Sequence, residues 1–184
     1  MEENLKLAKP YKATELDREL KVDWGCWEES VGKLSDYKIA WMEPGSETDF
    51  LAISRMDLLE ELLDRIIELG YRSLLGSHHM GASVELIEER KVKRFDGYVT
   101  PVNKLGVMMF PTRRVAENGI WRARKLGRLV VAIKAFAGGR IRPKEALSYV
   151  YRNMKVDSCM MGVGSVEEAE EDFETAESIL EKGP

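Results

Sequence analysis

The chain has 184 residues and a mass of 21.0 kDa, a length that suits one domain. Hydrophobic residues make up 44% of it and charged residues 33%, which is enough apolar material for a core and too much for disorder. The net charge of −4 gives no reason to expect a nucleic acid partner, and the basic residues between Arg113 and Arg128 are interpreted as a solvated helix face. The large share of Glu, Lys and Arg is compatible with a thermophilic source.

Targeting signals and cysteine motifs are both missing from the sequence. No apolar stretch reaches the ~20 residues of a membrane span, and the first residues, MEENLKLAKPYK, lack a signal-peptide core. Cys26 and Cys159 lie far apart and match no metal or redox spacing. We therefore expect a cytoplasmic protein with reduced cysteines and no membrane partner.

Two regions follow from the pattern of apolar residues along the chain. Residues 1–36 are expected to be mostly helical or irregular, with Trp24 and Trp27 spaced for a packing contact. Residues 37–184 are expected to form one domain in which strands and helices alternate. The predicted strands are residues 37–42, 71–77, 95–103, 128–136 and 156–164. The predicted helices are residues 56–70, 82–90, 112–127, 142–153 and 165–183.

Capping, proline and glycine residues indicate where these helices begin and end. The residues concerned are Gly70, Ser83, Thr112, Gly127, Pro143 and Ser165. Ser83 is expected to open the second helix. Ser165 and Glu168 have the spacing of a capping box at the start of the last one.

Five strand–helix units of this kind predict βαβ repeats, which build either an open doubly wound sheet or a (β/α) barrel. No G-x-G-x-x-G follows the first strand, so the dinucleotide-binding version lacks support. A full barrel needs eight units. We therefore expect an α/β fold, a partial TIM-type barrel of about five parallel strands. Its open edges are expected to be covered by the N-terminal segment, by a second copy in a homo-oligomer, or by a missing N-terminal part of the barrel.

The last two units, VVAIKAFAGGRI and VDSCMMGVGSVEEAEEDF, resemble the seventh and eighth units of the aldo-keto reductases. The two preceding units take the places of that family's fifth and sixth units, and their sequences are SLLGSHHMGASVELIEE and FDGYVTPVNKLG. The resemblance covers strands four to eight of that family's barrel, roughly residues 36–180. It implies a site for the phosphates of NADP(H) or a similar ligand. The residues that would bind the cofactor are Ser77, Asn103, Gly138, Gly139, Gly162, Gly164 and Ser165.

The chain departs from the family at its catalytic centre. The family's Asp, Tyr and Lys have no counterpart, and Glu43 stands where the fourth strand should end in His. Ser77-His78 replaces the family's Ser-Asn pair, and Glu171-Asp172 replaces its Glu-Asn. The resemblance therefore implies cofactor binding without a complete reductase centre.

The carboxyl ends of the strands carry the remaining candidate residues, because active sites of (β/α) barrels lie there. Lys134 could form an imine, contact a phosphate, or only extend to solvent. Glu43 and His78 could serve as acid and base. His79 and Asn103 would add metal ligands to them. No metal is predicted, since neighbouring histidines in a strand point to opposite faces. The resemblance implies that His78 is the one that faces inward, because it takes the place of the family's ligand-facing Asn.

Three functions stay open at this point. The first is an aldo-keto reductase-like protein that binds a phosphate-containing cofactor. The second is a Schiff-base lyase or aldolase that uses Lys134. The third is an oligomeric binding module without catalysis.

Overall fold

The computed structural model describes residues 21–45 and 48–181. Its five strands form one parallel sheet in the order of the chain, and this sheet curls into half of a barrel. The strands are β1 (Trp41–Met42), β2 (Arg72–Gly76), β3 (Gly97–Pro101), β4 (Leu129–Ile133) and β5 (Ser158–Cys159). The predicted α/β half-barrel of about five parallel strands is confirmed.

Helices alternate with these strands. They are α1 (Trp24–Gly32), α2 (Thr48–Ser54), α3 (Met56–Glu68), α4 (Met80–Glu89), α5 (Arg113–Lys125), α6 (Pro143–Ser148) and α7 (Val166–Glu181). A π-helical turn, Tyr149–Asn153, continues α6. Within the described ranges, no helix combines the length and the apolar character needed to cross a bilayer.

The two faces of the sheet are both apolar, as expected for parallel strands. On the outer face, Leu75, Tyr98 and Val130 belong to the main core beneath the helices. On the concave face, Leu74, Val99 and Val131 form a second, smaller cluster, which Ile133 extends. Because side chains alternate along a strand, these two sets come from successive positions. The alternation fixes which residues at the strand ends face the barrel mouth.

Most of the predicted helix boundaries are confirmed. The Thr112 hydroxyl accepts a hydrogen bond from Val115 N at 3.3 Å at the start of α5. Pro143 is the first residue of α6. Gly70 and Gly127 follow α3 and α5 with φ of 86° and 79°, the left-handed conformation that glycine adopts most easily.

The predicted start of α4 at Ser83 is wrong, because the helix begins at Met80. Ser83 lies inside the helix, where its hydroxyl donates to the carboxylate of Asp49. The same carboxylate accepts from the amides of His78 and His79 just before the helix. Asp49, which lies far from this helix in the sequence, therefore binds the amides at the start of the helix. A local capping pattern does not reveal such a contact.

The first and last strands are shorter than the predicted ranges 37–42 and 156–164. Each has only one hydrogen-bonded neighbour in the described sheet, so fewer of its residues are held in a ladder. The short helix α2 was not predicted. The Trp24–Trp27 contact is confirmed, with an edge-on geometry and ring centroids 5.9 Å apart. The predicted N-terminal segment before residue 21 and residues 182–184 lie outside the described ranges.

Candidate functional site

Lys134 and His78 meet at the carboxyl ends of the strands. Lys134 directly follows β4 and His78 lies two residues after β2. The Lys134 Nζ is 3.0 Å from Nε2 of His78, a hydrogen-bonding distance. Lys134 has φ of 57°, a conformation uncommon outside glycine, which turns the chain sharply at the end of the strand. The fold thus brings together two of the three side chains predicted to be catalytic.

The surroundings of His78 favour its neutral form. Burial lowers the pKa of the imidazole below its usual 6.5, and the positive charge of Lys134 lowers it further. Asp49 opposes this effect without reversing it. A neutral imidazole that faces an ammonium group presents its unprotonated nitrogen as acceptor, which places the ring proton on Nδ1. His78 is therefore a proton acceptor beside a primary amine.

Asp49, which the sequence did not reveal as important, holds the turn that carries His78. Its Oδ2 accepts hydrogen bonds from the amides of His78 at 2.8 Å and His79 at 3.1 Å, and Oδ1 accepts from Ser83. Burial alone would raise the pKa of Asp49, but the hydrogen bonds from Ser83 and from the turn lower it below its usual range. The Ser77 hydroxyl also faces this carboxylate, although its geometry falls short of a hydrogen bond. Only the position of Asp49 in the first turn of a helix could have pointed to it.

His79 points away from Lys134. Its ring stacks on Phe110 with centroids 5.2 Å apart, and its Nδ1 lies 3.3 Å from Asp49 Oδ2. The two imidazoles therefore have different surroundings, with His78 beside Lys134 and His79 beside Phe110 and Asp49. Among the described residues, no three His, Cys, Asp or Glu side chains are grouped so as to hold a metal ion.

A cavity of about 870 Å³ opens beside Lys134, between the loop after β4 and the start of α7. Three of the predicted cofactor-binding glycines, Gly138, Gly139 and Gly162, line it. Its basic side chains are Lys134, Arg140 and Arg142, and its acidic ones are Glu168, Glu171 and Asp172. Its apolar lining comes from Val107, Met108, Phe136, Ile141, Met160 and Met161. The volume lies in the usual range for small-molecule sites.

The turn from Gly162 to Ser165 is organised by the helix that it precedes. The Glu168 carboxylate accepts from Gly164 N at 2.7 Å, and Glu168 N donates to Ser165 Oγ at 3.2 Å. The Ser165 half of the predicted capping box is therefore formed, whereas the Glu168 carboxylate binds the amide of Gly164 instead of that of Ser165. The Gly164 amide, predicted to bind a cofactor phosphate, is thus already bonded to a carboxylate.

Asn103 and Ser77, the other predicted cofactor contacts, do not line this cavity. Asn103 is 0% exposed, and its side chain closes a turn. Its Oδ1 accepts from Val107 N at 2.8 Å, and its Nδ2 donates to Val107 O at 2.9 Å. Ser77 is buried, and its amide donates to Val99 O at 2.8 Å. Both side chains lie within the protein and support the loops around the site.

Glu43 lies at the concave side of the half-barrel. It lines a separate apolar cavity of about 370 Å³ together with Leu74, Val99 and Val131. A Cβ atom at Gly76 would lie 2.9 Å from Glu43 Oε2, so the carboxylate of Glu43 lies close over the end of β2. The structure therefore pairs His78 with Lys134 and places Glu43 against the neighbouring strand.

Comparison of the chain with protein-family models, with curated proteins and with solved structures gives no match.

Proposed function

We propose that the cavity beside Lys134 binds a small carbonyl compound that reacts with this lysine as an imine, in the manner of Schiff-base lyases and aldolases. The observation that carries the proposal is the 3.0 Å separation between Lys134 Nζ and His78 Nε2. An amine nucleophile with a base in hydrogen-bonding reach is the arrangement that covalent catalysis requires. The cavity supplies room for a substrate next to the same amine.

The chemistry assigns one step to each side chain. His78 accepts a proton from the Lys134 ammonium, and the amine then attacks the carbonyl carbon to form a carbon–nitrogen bond. The carbonyl electron pair moves to oxygen, which takes one proton from the attacking nitrogen and a second from His78 and leaves as water. His78 returns its proton during this loss of water. The resulting protonated imine withdraws electrons from the bonds of the carbon attached to the imine carbon. A carbon–hydrogen or carbon–carbon bond of that carbon can then be broken.

Reductive trapping tests this proposal. The protein is incubated with butanal and cyanoborohydride, and the alkylated lysines are located by peptide mass spectrometry. Lys134 is expected to be labelled well ahead of other exposed lysines, and Lys134→Arg is expected to remove that fast phase. Lys155→Arg is the matched control, since Lys155 is also exposed with φ of 53° but does not line the cavity. Equal labelling of Lys134 and Lys155 in the unsubstituted protein would contradict the proposal.

An aldo-keto reductase-like protein that binds a phosphate-containing cofactor such as NADP(H) is the second candidate. It is supported by the position of Gly138, Gly139 and Gly162 on one cavity with Arg140 and Arg142. It takes second place because Glu168 and Asp172 lie on the same cavity and would repel phosphate. Titration of NADPH fluorescence tests it, and Arg140→Ala is expected to weaken any binding. A chain that neither labels at Lys134 nor binds NADPH would be a binding module without catalysis.

We further propose that the protein works in a reducing compartment such as the cytoplasm. This is supported by the two cysteines, which are both free. Alkylation of thiols in extracts made from the source cells tests it, since both cysteines are expected to be trapped in reduced form.

A further inference from the structure

Asp172 is a nearly buried residue with a carboxylate on the cavity beside Lys134, and its charge bears on which ligands this cavity would bind. It is 5% exposed and lines the cavity beside Lys134. It shares a face of α7 with Ala176 and Ile179, which pack against Leu147. Within the described part of the chain, its carboxylate has neither an ion-pair partner nor a hydrogen bond. Its carboxylate oxygens are not among the fully buried unpartnered atoms, so they remain accessible from the cavity and could pair with a cationic group there.

The helix itself does not supply that explanation. Carboxylates are stabilised by the positive end of a helix only within about the first turn, and Asp172 is the seventh residue of α7. Glu168 already satisfies the amide of Gly164 there. Burial raises the pKa of Asp172, and the charges of Glu171 and Glu168 raise it further. In the described residues, these carboxylates therefore have no positively charged partner, and a ligand could supply one.

The basic side chains of the cavity do not act as ion-pair partners of its acidic side chains. Lys134 contacts His78, and Arg140 donates to Ala137 O at 2.8 Å. Neither these two nor Arg142 forms an ion pair with the acidic wall of Glu168, Glu171 and Asp172 in the described residues. The basic and acidic walls therefore lie apart, with apolar side chains such as Met161 and Phe136 lining the space as well.

We propose that the substrate is a carbonyl compound with an ammonium group, whose positive charge binds at Asp172 while its carbonyl reaches Lys134. This rests on the proposed function, because it assigns a substrate class to the same site. The apolar side chains suit the carbon chain between the two groups. An organic cation fits better than a metal ion, since Glu168 is engaged by an amide and the described residues offer no group of three metal ligands.

Three aldehydes of matched length test the charge preference. Butanal, 4-(trimethylammonio)butanal and succinic semialdehyde are neutral, cationic and anionic, and none carries an amine that would react with itself. Labelling of Lys134 under cyanoborohydride is followed by mass spectrometry. The cationic aldehyde is expected to label at least ~10-fold faster than the anionic one, the equivalent of ~1.4 kcal/mol. Asp172→Asn is expected to bring the two rates within about twofold of each other, since the charged partner is gone.

Glu174→Gln is the control, because Glu174 is an exposed carboxylate of the same helix that does not line the cavity. It changes net charge by the same amount as Asp172→Asn and is expected to keep the preference. The comparison of aldehydes in the unsubstituted protein needs no variant. It therefore shows whether labelling of Lys134 prefers a cationic aldehyde even if Asp172→Asn folds poorly. Faster labelling by succinic semialdehyde, or equal labelling by all three aldehydes, would overturn the inference.

A second measurement separates this inference from the proposed function. Butyltrimethylammonium, which has no carbonyl, is titrated into the protein by calorimetry. Binding that Asp172→Asn abolishes, without any preferential labelling of Lys134, would keep the cation site and overturn imine chemistry. Preferential labelling of Lys134 by butanal, without ammonium binding or charge preference, would keep imine chemistry and overturn the cation site.

Discussion

The carboxylate of Asp49 accepts a hydrogen bond from the backbone N–H of His78 at 2.8 Å, and this bond fixes the residue whose imidazole meets Lys134. Asp49 lies in α2 and His78 lies 29 residues later, before α4. One half-buried anion therefore binds the amides at the start of a helix and holds the turn that carries the proposed base.

Replacing Asp49 with Asn is expected to lower the free energy of unfolding by about 2 kcal/mol at pH 7, as is usual for hydrogen bonds to a charged group. The pKa of Asp49 is lowered in the folded protein, so its contribution is complete above the unfolded value of 3.8 and is lost as pH falls through the lower folded value. Denaturant unfolding at pH 7, 5 and 3 should show the difference between variant and parent shrinking at the lowest pH.

Asp64→Asn is the control for this experiment. Asp64 pairs with Arg94 at the surface, where ion pairs contribute little. Its effect is expected to stay below about 1 kcal/mol at each pH. A similar loss in both variants would show that Asp49 has no special part in the turn.

Replacing His78 with Gln is expected to slow imine formation at Lys134 about 100-fold, the lower end of what a positioned base supplies. Because the pKa of His78 is lowered, the imidazole stays neutral at pH 6.5 and above, and the rate should fall only below that pH. Labelling rates between pH 5 and 8 should show this inflection in the parent and lack it in the variant. His79→Gln is expected to leave rate and inflection nearly unchanged, since His79 faces Phe110.

Replacing Gly119 with Ala is expected to destabilise the fold by about 1–3 kcal/mol, as overpacking commonly does. A Cβ there would lie 2.7 Å from Met80 O and from Gly81 N, which are backbone atoms of α4 that cannot move aside alone. Thermal denaturation followed by circular dichroism measures the loss. Gly32→Ala in α1 is the matched control, because nothing lies within 4 Å of its added Cβ, and it should be neutral or slightly stabilising.

The two cysteines are expected to differ strongly in reactivity. Burial raises the pKa of Cys159 to about 12, with a further contribution from Asp172, so the thiol stays protonated near pH 8 and reacts slowly. Cys26 is exposed in α1. Iodoacetamide labelling of the native protein should modify Cys26 first, and both should react alike in guanidinium chloride. Rapid native labelling of Cys159 would show that this side chain is more accessible than its burial implies.

The sequence was sufficient to predict the sheet, because each strand–helix unit carries its own pattern. The Val/Ile run of β4 and the helical spacing of Leu59, Leu63 and Ile66 in α3 are local properties. The lengths of β1 and β5 depend on which neighbours they pair with, so residue patterns overstated them. Asp49 was missed for a similar reason, since its partners lie 29 to 34 residues later in the chain.

The candidate site was predicted in outline only. The rule that strand ends form the site of a (β/α) barrel placed Glu43, His78 and Lys134 on one face. Which of them touch depends on details such as the left-handed turn at Lys134 and the open space over Gly76. The alternation of side chains allowed only one inward histidine, and the resemblance implied that it is His78, but neither could reveal Lys134 as its partner. The occupied amide of Gly164 depends on one carboxylate rotamer, which no sequence pattern fixes.

The strand order β1-β2-β3-β4-β5 also bears on how the protein is made. Among the described residues, every strand after β1 pairs with the strand that precedes it in the chain, so its partner has left the ribosome before it is needed. The sheet can therefore grow one unit at a time during synthesis, without waiting for a distant segment. The amine of Lys134 joins the candidate site only after four strands and the turn that holds His78 have been made. Lys134 is thus added to strands that already exist.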